Sequence, residues 1–247
     1  DGYYSIDDFN YNSSTHSYTL KPGVANDADI IAANGQFGPG CIKLKDLDGD
    51  GIVSENDRTI IGNANPDATG GFSFKINYKK WDFGIDAYWS LGNDIYNANK
   101  IEFTTTNKYK YRNMTSEMES GKRWTNIDAN GNRITNPDDL AALNKNTSIW
   151  SPNMGRYIFH SWAVEDGSFL RLSKLTLGYT MPQRWTKNIK IQDLRIYASV
   201  NNIYCFTKYT GYDPEVDSKN TNSLTPGVDY SAYPRSRVFC CGLNINF

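Results

Sequence analysis

The stretch Val238-Phe-Cys-Cys-Gly-Leu-Asn-Ile-Asn-Phe247 decides the fold. Phe239, Cys241, Leu243, Ile245 and Phe247 share one face of an extended chain, and Val238, Cys240, Gly242, Asn244 and Asn246 share the other. Alternation at a period of two over this length specifies a strand with one apolar flank and one mostly polar flank. A last strand that is greasy outward and small or polar inward is what a membrane β-barrel uses to close on itself. A soluble sandwich more often hides such a strand or continues past it.

The same alternation recurs upstream. Phe72, Phe74, Ile76 and Tyr78 interleave with Ser73, Lys75, Asn77 and Lys79. Trp81, Phe83, Ile85, Ala87 and Trp89 then interleave with Asp82, Gly84, Asp86, Tyr88 and Ser90, which predicts a hairpin with a very short turn. Residues 169–179 form a further strand whose apolar phase slips between Leu172 and Leu175, predicting a bulge near Ser173–Lys174. Leu194, Ile196, Ala198 and Val200 alternate with Arg195, Tyr197, Ser199 and Asn201. Strands are also expected over Cys41–Leu47 and Gly2–Phe9.

Two long polar connections, 92–160 and 206–234, separate these segments. The first holds a predicted short helix, with Asn136 as cap, Pro137 at its first position, Asp138 and Asp139 at the positive end, and Leu140 and Leu143 facing inward. Transmembrane barrels keep short turns on the periplasmic side and long loops outside. The turn near Lys79–Lys80 is then periplasmic, both long connections are extracellular, and the final strand runs inward to a periplasmic end. So few strands cannot close a wide barrel, and an open edge invites aggregation. Another chain, or more of the same one, is expected to complete the wall.

Composition narrows the function. The 247 residues carry a formal net charge of −1, so no charge-driven partner such as nucleic acid is implied. No apolar run reaches the roughly 18 residues of a membrane helix, a test that does not apply to barrel strands. The 17 Tyr, 11 Phe and 6 Trp suit interfacial girdles, sugar-stacking platforms or an aromatic-rich β protein. Cys41, Cys205, Cys240 and Cys241 lack zinc or redox spacing and read as small apolar fillers. The opening Asp1-Gly-Tyr-Tyr-Ser-Ile6 contains no signal peptide, so the chain is expected to be either cytosolic or a mature or internal piece of an exported product.

One motif carries ion chemistry. In Asp46-Leu-Asp48-Gly-Asp50-Gly51-Ile52-Val53-Ser54-Glu55-Asn56-Asp57, acids at positions 1, 3, 5 and 12 and glycine at 6 match a calcium loop. Asp46, Asp48 and Asp50 would converge, Ile52 would offer its carbonyl, Ser54 a direct or water-bridged contact, and Asp57 would close the shell. The shorter Asp at the last position makes magnesium an alternative occupant. The other reading is an ion-free Asp/Gly turn cluster. The expected role of an ion is architectural, since His16 and His160 are the only histidines and neither sits beside the motif.

These segments together resemble the carboxyl-terminal part of the SusC/RagA family of TonB-dependent outer-membrane transporters of Bacteroidetes. The resemblance lies in Lys45–Pro66, Thr69-Gly-Gly-Phe72, Gly92-Asn-Asp-Ile-Tyr-Asn97, Val164–Pro182, Leu194–Ile203, Phe206–Glu215 and Gly227–Arg235. It implies that residues 1–247 supply about 6–8 of the strands of an all-β, roughly 22-stranded antiparallel barrel around a plug. It further implies import of glycan oligosaccharides or peptides, a SusD-like surface lipoprotein as lid, TonB as energy source, and contact with outer-membrane lipid. The family's signal sequence, TonB box, plug and early strands have no counterpart in this sequence.

Two other readings compete. A secreted calcium-dependent carbohydrate-binding β module accounts for the acidic loop and the aromatics, but poorly for the two-sided hairpin. A glycan hydrolase would need paired acids such as Glu165/Asp166 or Asp213/Glu215. Neighbours on a strand point apart, and acids flanking Pro214 suit a turn, so no enzyme is expected. Trp124, Trp150, Tyr157 and Trp162 are candidates for stacking on sugar or touching a lid protein, with packing of the loop on itself as the plainer reading.

Overall fold

The computed structural model describes residues 1–32, 37–106, 111–153, 158–215 and 225–247. In chain order the elements are β1 (Phe9–Asn12), β2 (Ser17–Leu20), α1 (Ala28–Ile31), β3 (Ala68–Tyr78), β4 (Trp81–Leu91), β5 (Asp94–Asn97) and α2 (Ala98–Glu102). There follow α3 (Pro137–Leu143), β6 (Val164–Asp166), β7 (Phe169–Thr180), α4 (Gln183–Thr186), β8 (Asp193–Thr207), β9 (Val228–Asp229) and β10 (Val238–Asn246). The chain divides into one unit of residues 1–60 with 98–163 and another of 61–97 with 164–247. No described helix is long and apolar enough to cross a membrane.

The second unit is built on a five-stranded antiparallel sheet in the order β10-β8-β7-β4-β3. The expected hairpin forms, with Tyr78 opposite Trp81 and only Lys79 and Lys80 between them. Lys79 takes φ 57°, the left-handed conformation so tight a turn demands. The terminal strand pairs with β8, and β8 continues to Thr207, beyond the expected end at Asn202. A second, three-stranded sheet in the order β6-β5-β9 contains one parallel pair, Tyr96 to Val228 and Asn97 to Asp229. Val228 and Asp229, in the connection after β8, are therefore anchored to β5.

The bulge falls where the phase slip places it. Asp86 pairs with Lys174 and the adjacent Ala87 with Leu172, leaving Ser173 as an extra residue on β7. Between β7 and β8 the register moves from Lys174–Asn201 to Leu172–Tyr204, so β8 carries one residue more again. Asn202 absorbs that excess at φ 52°. One added residue reverses side-chain parity and two restore it. Hence Leu170, Leu172, Leu175, Leu177 and Tyr179 line up with Val200, Tyr204 and Phe206 on a common face.

The first unit departs from expectation. Cys41–Leu47 is not a strand; it is extended chain with a single bridge, Ile42 to Tyr3. It is held by Tyr4 N–H to the Cys41 carbonyl at 2.8 Å and by Leu44 N–H to Asp27 Oδ2 at 2.8 Å. Gly2–Phe9 is likewise not a strand, because Ile6–Asp8 turn as a 3₁₀ helix before β1 starts at Phe9. The hairpin of β1 and β2 was not foreseen. Tyr4, Phe9, Ile31, Ile42, Met118, Ile149 and Trp150 form the core of this unit. The helix expected in the 92–160 connection is α3, with Asn136 Oδ1 accepting from Asp138 N–H at 2.9 Å and Asp139 N–H at 3.3 Å. Leu140 is buried, whereas Leu143, expected inward, is 39% exposed, since only one apolar position per short helix reaches the core.

Candidate functional site

The acidic loop folds around its own backbone. Gly49 and Gly51, at φ 80° and 87°, let the chain double back where a side chain would strain it. Asp46 accepts from Gly49 N–H at 2.7 Å and Gly51 N–H at 2.9 Å, Asp48 from Asp50 N–H at 3.1 Å, and Asp50 from Ile52 N–H at 2.8 Å. One oxygen each from Asp46, Asp48 and Asp50 lies within 4.8 Å of the others. Three clustered hard oxygen donors on a small, partly exposed loop fit calcium or magnesium chemistry.

Asp57 touches the trio through the Asp48 N–H, which donates to its Oδ1 at 3.3 Å, but most of its carboxylate is turned to the backbone. Its carboxylate accepts from Leu47 N–H at 2.6 Å and Ser54 N–H at 2.7 Å, joining the two ends of the loop. Donation from Ser54 and then Leu47 pulls its pKa below the usual carboxylate value. The Ser54 hydroxyl accepts from Asn56 N–H at 3.1 Å. Asn26 holds the loop from outside, donating to the Gly51 carbonyl at 2.9 Å and accepting from Val53 N–H at 3.0 Å.

The large sheet has two unlike faces. Across it run apolar rows: Tyr78, Trp81, Tyr179, Ile196, Leu243; then Ile76, Phe83, Leu177, Ala198, Cys241; then Phe74, Ile85, Leu175, Val200, Phe239. Phe72, Leu243 and Phe239 remain 48%, 61% and 72% exposed on this face. An apolar surface this continuous is abnormal for a protein bathed in water.

The opposite face is polar and internally paired. Arg195 grips Asp82 through Nε–Oδ1 at 2.8 Å and Nη2–Oδ2 at 2.5 Å. The Ser73 hydroxyl donates to Asp86 at 2.5 Å. Gly178 and Gly242 leave room for larger neighbours, since a Cβ on Gly178 would lie 2.3 Å from Asp82 and one on Gly242 2.5 Å from the Tyr197 ring.

At the far end of this polar face lies a network that the sequence did not disclose. Arg171, on β7, meets Asp213 Oδ1 at 2.5 Å and Glu215 Oε2 at 2.5 Å, with Arg171 and Asp213 only 4% exposed. Its Nη1 donates to Asn202 Oδ1 at 2.6 Å, and Tyr88 donates to Glu215 at 2.6 Å. Asn202 Nδ2 donates to the Arg235 carbonyl at 2.8 Å, and Arg235 donates to the Tyr88 hydroxyl at 3.0 Å. Nearby, Tyr209 donates to the buried Asp229 at 2.6 Å. The only hint in the sequence was a lone arginine on the polar phase of a strand. The network ties the connection after β8 to the sheet.

The acid pairs weighed for catalysis are thus already engaged. Asp213 and Glu215 hold Arg171, and Glu165 accepts from Thr210 N–H and Oγ at 2.8 Å each. Trp124 and Trp150 are buried, and Trp162 packs edge-on to Trp150 at 4.9 Å, so these aromatics serve packing. Tyr157 lies outside the described residues. None of the four cysteines forms a disulfide.

No family model matches the chain. Among curated proteins, TonB-dependent receptor P3 of Formosa agariphila is 33% identical over 218 residues, covering 87% of this chain and 20% of the relative. TonB-dependent receptor SusC of Bacteroides thetaiotaomicron is 30% identical over 203 residues, covering 82% of this chain and 17% of the relative. A solved structure of the RagAB peptide transporter superposes with a TM-score of 0.61 at 25% identity, over 82% of this chain and 20% of that one. The chain therefore spans about a fifth of the length of the proteins it matches. These are receptors and transporters, not enzymes. Sequence and fold together place the chain in the SusC/RagA family of TonB-dependent receptors.

Proposed function

We propose that this chain forms part of the wall of an outer-membrane transporter that imports glycan oligosaccharides or peptides. The carrying observation is the sheet with an unbroken apolar coat on one face and ion-paired polar groups on the other. Hydrocarbon is the one solvent that tolerates the first face without a packing partner, and a wet interior suits the second. Strands β3 and β10 are the outermost of the five, so further strands of the transporter continue the wall from them. A barrel of about 22 strands around a plug is the proportion expected for this transporter class.

In this reading the short Lys79–Lys80 turn faces the periplasm. The 92–160 and 206–234 connections face outside, where a SusD-like lipoprotein would cover the entrance. TonB acts through a part of the transporter beyond this chain. Asp46, Asp48 and Asp50 hold a structural calcium or magnesium ion, with the Ile52 carbonyl, Ser54 and Asp57 completing its surroundings. Such an ion would relieve the repulsion among three carboxylates and stiffen the loop.

The test is biochemical. The protein should need detergent for solubility and migrate differently on gels before and after heating. Cells lacking it should lose uptake of one class of oligosaccharide or peptide. A protein that stays soluble and monomeric without detergent, and binds glycan in that form, would instead be the secreted carbohydrate-binding module.

A further inference from the structure

The periplasmic-end assignment leaves one charged surface without a role. The turn between β3 and β4 carries Lys79 and Lys80, and the connection between β7 and β8 carries Arg184, Lys187 and Lys190. The two connections are neighbours: Thr180 N–H donates to the Lys80 carbonyl at 2.8 Å, and Met181 N–H to the Leu194 carbonyl at 2.8 Å. All five cations are exposed, and none forms an ion pair among the described residues. The acids closest in sequence are Asp193, the first residue of β8, and Asp82, which Arg195 already holds.

Apolar groups stand among these charges rather than beneath them. Trp185 is 57% and Ile189 62% exposed. Arg184 lies 5.7 Å from the Trp185 ring centre and Lys79 5.2 Å from that of Tyr78. The adjoining margin of the apolar face ends in an aromatic pair, Trp81 and Tyr179, with ring centroids 4.7 Å apart.

We propose that this end of the sheet is a binding surface for anionic phospholipid headgroups. Five unpaired cations ask for a partner with several negative charges. Exposed Trp185 and Ile189 ask for a partner that also offers hydrocarbon at the same level. A nucleic acid or acidic peptide meets the first demand only. The headgroup zone of a bilayer containing acidic lipid meets both, with indole rings at the boundary and long basic side chains reaching to phosphate. The proposal rests on the wall reading and adds a lipid class to it.

The test uses the intact protein in detergent micelles doped with equal amounts of phosphatidylglycerol and phosphatidylcholine, with retained lipid counted by native mass spectrometry. The parent should retain phosphatidylglycerol in preference by about fivefold or more. K79Q/K80Q/R184Q/K187Q/K190Q should bring the ratio close to one, and K75Q/K174Q, altered on the polar face, should leave it at the parent value. R184Q/K187Q/K190Q, which leaves all strands untouched, should give an intermediate ratio and serves if the five-site variant does not fold. Equal retention by the parent, unchanged selectivity in the folded five- or three-site variant, or an equal loss in K75Q/K174Q overturns the proposal. Gel migration with and without heating separates the two ideas. A parent that shows the heat shift but no lipid preference refutes the headgroup surface alone, whereas a parent without the shift refutes the wall.

Discussion

Arg195 reaches Asp82 by crossing over Gly178, at 2.8 Å through Nε and 2.5 Å through Nη2. The strand between the two partners carries no side chain at that point. Both ends are about 30% exposed, so the pair is worth no more than about 1 kcal/mol. Gly178→Ala would push only the tips of these side chains aside. Gly178→Ala and Arg195→Met should therefore each destabilise by about 1 kcal/mol or less, and the double variant should cost no more than either alone. Urea unfolding in detergent reads the cycle, and fully additive costs would mean that Gly178 is not there to clear the crossing.

The two faces of β4 should differ sharply in tolerance. Ile85 sits mid-strand in the row with Phe74, Leu175, Val200 and Phe239. Ile85→Arg should destabilise by about 2–4 kcal/mol if that row lies near the bilayer midplane, whereas Asn77→Arg on the opposite face should cost much less. Folding titrations into lipid vesicles measure both. Similar losses at the two positions would contradict the sidedness.

Arg171 is buried between Asp213 and Glu215, so removing the arginine leaves two carboxylates without their cation. Arg171→Met should release the connection after β8 at a cost of about 3–5 kcal/mol. Limited proteolysis should then cut within residues 208–236 while β7 and β8 stay protected. Intact protection of that segment would show that the network does not anchor it.

For the acidic loop, calcium should protect residues 44–62 from protease, and a chelator should remove that protection. Asp48→Ala combined with Asp50→Ala should abolish the calcium effect and leave the sheet unchanged. A parent protein indifferent to chelator would rule out the ion.

His160 sets a pH dependence for the first unit. Burial beside Trp150 and Trp162 pushes its pKa down from 6.5 to about 4. The folded state keeps the ring neutral while the unfolded state takes up a proton from pH 6.5 downward. Stability is thus complete above pH 6.5 and falls through the window from 6.5 to about 4, by up to about 3 kcal/mol. Hydrogen exchange of the buried amides around Trp150 should follow this slope, and His160→Phe should flatten it.

What the sequence reveals divides by the range of the interaction. Alternation is local, so Phe72 through Trp89 and Phe239 through Phe247 announce their faces without knowledge of any partner. The bulge at Ser173 is equally local, because a phase slip needs only Leu172 and Leu175. The Asn136 cap and Pro137 are readable for the same reason. Arg171 and Asp213 stand 42 residues apart, and nothing periodic links them. The first unit was misread because its core gathers single aromatic residues, Tyr4, Phe9 and Trp150, from irregular chain. In the acidic loop the spacing foretold the convergence of Asp46, Asp48 and Asp50. It did not foretell that the short Asp57 carboxylate would spend its oxygens on backbone amides.

The extra residue at Ser173 makes β7 a strand in which counting matters more than identity. Substitutions of like polarity can accumulate on either side of it. Losing one codon there would exchange the inside and outside of half the strand, driving Arg171 toward the oily side or Leu175 and Leu177 toward the wet one. Length at this spot should therefore be inherited far more strictly than the amino acid that supplies it.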